Sequence, residues 1–92
     1  MDEYNCVKTW LKNQNDIQLA ELPKDKRVCK LISTEHPYKS CRMTLLHFGE
    51  IHLTHIHSLN TSKYQVFMLE SLDEPDSFKL LLNKIHELLS LD

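Results

Sequence analysis

The chain of 92 residues contains a single glycine, Gly49. A phosphate-cradling P-loop, a dinucleotide-binding G-x-G-x-x-G and a nucleophile elbow G-x-S-x-G all require more than one glycine. None of them can be written here, so nucleotide-fold enzymes and serine hydrolases of those types are excluded. Proline is sparse as well, with three residues. Scarcity of both turn-formers argues against a disordered or low-complexity chain. Cysteine is limited to Cys6, Cys29 and Cys41, an odd number with no C-x-x-C pair. No basic n-region or apolar h-region opens the sequence, so no signal peptide is read. No apolar run is long enough to span a bilayer. Reduced thiols in a cytoplasmic setting are the expectation that follows.

Charge of one sign is also lacking. The 11 Lys and Arg face 13 Asp and Glu, for a net charge of −2. The distribution is uneven. A basic excess lies in residues 23–42, with Lys24, Lys26, Arg27, Lys30, Lys39 and Arg42 against Asp25 and Glu35. An acidic excess lies in residues 70–76, at Glu70, Asp73, Glu74 and Asp76. Nucleic-acid binders usually show a dominant basic field, and this basic patch is small and partly neutralised.

What is present is periodic apolar sequence. Tyr4, Val7, Trp10 and Leu11 recur at helical spacing and predict an N-terminal helix. A single tryptophan at such spacing belongs in the core. Ile17, Leu19, Ala20 and Leu22 predict a short further turn of helix before Pro23. Strands are predicted over residues 27–33, 41–48, 51–58 and 63–69 from their β-branched and apolar content. Phe78, Leu81, Leu82, Ile85, Leu88 and Leu89 form a wide stripe at i, i+3, i+4, i+7 spacing. Pro75 after Glu74 marks the start of that C-terminal helix. The acidic cluster at 70–76 then complements the helix dipole. The expected fold is α+β: one domain over residues 1–92, a four-stranded antiparallel β-meander with the N-terminal and C-terminal helices packed on one face.

Gly49 and Glu50 sit between two strands. Glycine first in a two-residue hairpin is the type II′ signature, because that position needs positive φ. This register pairs Phe48 with Ile51, His47 with His52, Leu45 with Thr54, Met43 with Ile56 and Arg42 with His57. The apolar set then changes face partway along. A β-bulge near Thr54 and His55 would restore one apolar face. Otherwise both faces are partly apolar and the helix-free one offers Met43, Leu45 and Ile56 to a partner. The fourth strand supports the second reading. Tyr64, Val66 and Met68 lie on one face, and Phe67 and Leu69 on the other. An uncovered apolar sheet face usually means a protein partner or a dimer.

Chemistry-bearing groups are few. A cross-strand His47 and His52 pair has the spacing to chelate a metal, but no third or fourth ligand stands at a suitable position. No metal site and no cofactor is therefore assigned. His55 and His57 beside Arg42 are the acid, base and anion clamp of a hypothetical RNA-cleaving site. A Cys41–His57 nucleophile pair would need a lowered thiol pKa, and buried cysteine is the commoner state.

The expectation is a small non-enzymatic protein-binding module. It would act as an inhibitor, immunity protein or regulatory accessory protein by masking a partner protein. Its contact residues would be Met43, Leu45, Ile56, Val66 and Met68, rimmed by His47 and His52. A homodimer through the helix-free sheet face uses the same surface. The alternative is a nucleic-acid-binding or RNA-cleaving protein using Lys24, Lys26, Arg27, Lys30, Lys39 and Arg42 with the strand histidines.

Overall fold

Among the described residues, alternating apolar residues build five strands where four were expected. The additional strand is Ile17–Leu22 (β1). Its residues 17 and 19 recur at strand spacing and turn inward, while Gln18 is exposed. Antiparallel pairing with Asp25–Ser33 (β2) fixes it: Ile17 faces Ser33 and Leu19 faces Leu31. A short helix was expected here, because residues 17–22 carry apolar side chains on both sides. The partner strand decides between the two periods. Pro23 and Lys24 make the turn, and a register irregularity between Glu21 and Leu22 closes the hairpin.

The remaining strands are Ser40–Leu45 (β3), Glu50–Ser58 (β4) and Thr61–Met68 (β5). They run in sequence order, so the sheet is an antiparallel meander β1-β2-β3-β4-β5. A helix, Asn5–Lys12 (α1), precedes it and another, Pro75–Leu89 (α2), follows it. This computed structural model describes residues 4–58 and 61–90; the side chains of Phe48, 56–58 and 61–63 lie outside that description.

Both helices cover one face of the sheet. Cys29 and Leu31 of β2, Cys41, Met43 and Leu45 of β3, and Ile51 and Leu53 of β4 are buried beneath them. Val7 and Leu11 descend from α1, and Phe78, Leu81, Ile85 and Leu88 from α2. The α2 stripe and its start match the sequence pattern. Glu74 is the N-cap and Pro75 opens the helix, where its missing N–H costs nothing. Trp10 packs against the core, with its ring 5.8 Å from that of Phe78. No helix among the described residues is long and apolar enough to cross a membrane.

The central hairpin departs from the expected register. Met43 pairs with Leu53, and Leu45 with Ile51. Its connection is longer than two residues and contains a short 3-10 helix, His47–Gly49. Gly49 does have the expected positive φ, at 81°. The Tyr4 hydroxyl, at the start of α1, anchors this turn. It donates to the Leu46 carbonyl and accepts the Gly49 N–H at 3.1 Å.

A second tie joins α1 to the first hairpin. Lys8 is only 3% exposed, and its ammonium donates to the Lys26 carbonyl at 3.0 Å. Glu21 lies 3.5 Å from both Lys8 and Lys12. The Lys8 charge holds the Glu21 carboxyl below its ordinary value of 4.5; desolvation opposes this and Lys12 adds to it. A carboxyl lowered in the folded state contributes stability above its unfolded pKa and loses it as pH falls through the folded value. Glu21→Gln is therefore expected to lower the urea midpoint at neutral pH. That difference should vanish well below pH 4.5. A pH series of urea denaturation curves checks this, and a gap that persists in acid contradicts the pairing.

Candidate functional site

Among the described residues no element covers the face of the sheet opposite the helices, and its two halves differ in chemistry. Alternation along each strand determines what points there. From β5 come Tyr64, Val66 and Met68, which are 56%, 51% and 56% exposed. From β4 come Glu50, His52 and Thr54, and from β3 Arg42 and Thr44. From β2 come Val28 and Lys30. One row across the strands reads Val28, Thr44, His52, Val66. The neighbouring row reads Lys30, Arg42, Thr54, Tyr64. The β5 end is thus apolar and aromatic, and the β2–β3 end is cationic.

A polar chain crosses from β4 to β5. His52 Nε2 lies 3.3 Å from a Glu50 carboxylate oxygen, not aligned as a hydrogen bond. Its Nδ1 is hydrogen-bonded to the Tyr64 hydroxyl, and the two rings meet edge-on with centroids 5.3 Å apart. The bond from Tyr64 to Nδ1 holds the His52 ring beside Val66, its cross-strand neighbour. Sequence reasoning missed Glu50 and Tyr64 as its partners. The signal was present: Glu50-x-His52 on a strand places both side chains on one face.

Of the expected contact residues, Val66 and Met68 are on the open face and well exposed. His52 is there too, half-buried. Met43 and Leu45 are not. They are 0% and 1% exposed, in the core beneath the helices. The hairpin register explains the correction. Met43 faces Leu53 rather than Ile56, a shift of three residues, and an odd shift exchanges the faces. His47 is exposed in the 3-10 turn, and Thr44 rather than His47 stands opposite His52. The cross-strand histidine pair does not exist. The Ile56 side chain lies outside the described residues. So does any turn at residues 59–60, and the register irregularity of β4 falls between Ile56 and Ser58 rather than at Thr54 and His55.

The same register separates the groups of the hypothetical nuclease. His55 is 4% exposed on the helix side, whereas Arg42 is exposed on the open side, opposite Thr54. The His57 side chain lies outside the described residues. Cys41 is buried and its thiol is pushed up to about 12 by desolvation, so it stays protonated at neutral pH. Cys6, Cys29 and Cys41 are all free thiols.

The six basic residues do not form one surface. Lys30 and Arg42 are cross-strand partners on the open face. Lys24 sits in the β1–β2 turn, and Arg27 pairs with Asp25 at 3.6 Å. Lys26 lends its carbonyl to Lys8. Lys39 lines a separate cleft of about 350 Å³ with Asp16, Glu35, His36 and His86. There His86 Nε2 lies 2.7 Å from a carboxylate oxygen of Asp16. No family model, characterised protein or solved structure matches this chain, so the reading of its function rests on its own residues.

Proposed function

We propose that the protein is a small non-enzymatic binding module that masks a partner protein, as an inhibitor, immunity protein or regulatory accessory protein does. One observation carries this reading. Tyr64, Val66 and Met68 stand in a line on β5, each more than half exposed, while the apolar residues of the other face are covered by the helices. Among the described residues β5 pairs only with β4, so its outer backbone edge is available as well. Strand addition uses these two features together: backbone groups give affinity, and alternate side chains give specificity. Exposed apolar side chains on an edge strand invite pairing with another chain.

The contact set is Val66 and Met68 with Tyr64, and Glu50 and His52 form a polar rim. A second copy of the chain is the simplest occupant, and the assembly mass distinguishes it from a different protein. The test is an affinity pull-down from the source cell with wild type, Val66→Asp and Leu80→Asp, alongside sedimentation of each purified protein. Leu80 is the control, because it is 54% exposed on α2, which packs on the other face. Val66→Asp is expected to lose the partner or the dimer by at least about a hundredfold, an effect of the size seen at interface hot spots. Leu80→Asp should retain it. Equal retention by both variants removes β5 as the interface. A strictly monomeric protein with no captured partner removes the reading.

A further inference from the structure

Lys30 and Arg42 stand directly opposite each other on β2 and β3. Like charges at such positions repel, and a sheet normally avoids them or supplies a counter-charge. Here neither residue has an ion-pair or hydrogen-bond partner among the described residues. The two cations also line a cleft of about 410 Å³, together with Tyr38, Ser40, Thr54 and Leu22. Among the described residues no carboxylate lines it. Its size falls in the range of small-ligand sites.

We propose that this cleft binds a nucleoside phosphate, with the phosphate between Lys30 and Arg42 and the base against Tyr38. The donors match a phosphate better than a carboxylate. A planar guanidinium fork and a point-charge ammonium neutralise a doubly charged oxyanion, and the Ser40 and Thr54 hydroxyls add donors to its remaining oxygens. The cleft is much larger than a phosphate alone. Its side is formed by Tyr38, which is 79% exposed, with the His36 ring 5.7 Å away. A tyrosine left in water beside a cationic cleft is the stacking surface that a base uses. The site lies at the β2–β3 end of the face, away from the β5 line, and so stands independently of the masking role. Its ligand is either a free nucleotide or a nucleotide within a single strand.

The test titrates the full chain at low salt with inorganic phosphate, adenosine, adenosine 5′-monophosphate and a short oligoadenylate. Backbone amide shifts are followed by NMR. The monophosphate is expected to bind at least about tenfold more tightly than adenosine or inorganic phosphate, since each supplies only part of the contact. Shifts should centre on Lys30, Ser40, Arg42 and Thr54. Lys30→Gln with Arg42→Gln should abolish binding, and Tyr38→Ala should reduce the monophosphate to the level of inorganic phosphate. The double variant is also expected to melt no lower than wild type without ligand, because it relieves repulsion. That measurement separates lost binding from lost folding. An oligoadenylate that binds about tenfold more tightly than the monophosphate identifies a strand site, and equal binding identifies a free-nucleotide site. Adenosine binding as tightly as the monophosphate overturns the proposal. So does monophosphate binding that survives the double substitution, or that is weaker than about 1 mM in wild type.

Discussion

Met43→Ala is expected to destabilise the protein by about 3 kcal/mol, while Met68→Ala changes stability by less than about 0.5 kcal/mol. The two side chains are chemically identical and their strands belong to one sheet. Only the face differs. Met43 is fully buried between the sheet and the helices, so truncation removes apolar contact and leaves a cavity that a packed core only partly fills. Met68 is 56% exposed beyond the helices, and its truncation opens no cavity. For a domain of this size the first loss lowers the melting temperature by roughly 12–24 °C. Urea denaturation of both variants gives the comparison. The two-residue hairpin would put Met43 on the open face beside Ile56, and truncation there would cost little. Equal, small losses at both positions would therefore reinstate that register.

The register shows where the sequence stops being legible. A glycine between two apolar runs selects a tight hairpin by local rules, and those rules reproduce the positive φ of Gly49. They also split the apolar residues between faces, leaving Met43 and Leu45 opposite Leu46 and Leu53. The longer connection gathers Met43, Leu45, Ile51 and Leu53 on one face, where both helices cover them. Its cost is a set of backbone groups removed from the ladder. Leu46 N–H recovers a bond to the Glu50 carbonyl at 2.8 Å, and Tyr4 satisfies Gly49 N–H. Tyr4 is 45 residues from Gly49, so no local reading could count its contribution. The C-terminal helix was legible for the opposite reason. Its stripe, its proline and its preceding carboxylate all lie within one segment, and they agree.

The candidate site was legible to the same degree. Alternation within β5 placed Tyr64, Val66 and Met68 together without reference to any partner strand. The pairing of Lys30 with Arg42 and the chain Glu50–His52–Tyr64 depend on inter-strand register, and an odd error there rearranges all of them. A basic segment read as a linear run likewise hides which cations share a face. Of the six, Lys30 and Arg42 are paired, and Lys39 turns to a cleft with Asp16 and Glu35.

Gly49→Ala is expected to cost about 3 kcal/mol, an effect as large as emptying part of the core. Two separate terms add. With φ at 81°, an L-residue occupies the left-handed region at a cost of about 1–2 kcal/mol. The new Cβ would also stand 2.4 Å from the Leu69 carbonyl oxygen, well inside contact distance. That carbonyl cannot swing away freely. Leu69 N–H donates to the Gly49 carbonyl at 2.7 Å, which holds the end of β5 against the turn. On the other side, the Tyr4 hydroxyl bonds to Gly49 N–H and fixes the turn to α1. The methyl must therefore break one of these ties or strain both. Gly49→Asn separates the terms, since asparagine tolerates left-handed backbone better than alanine but carries the same Cβ. It is expected to remain at least about 1 kcal/mol below wild type because the contact with Leu69 persists. Urea denaturation gives the losses, and amide exchange at Leu69 locates them. A Gly49→Ala protein as stable as wild type, with Leu69 still protected, would show that the turn accepts a side chain and that positive φ at this corner is not required.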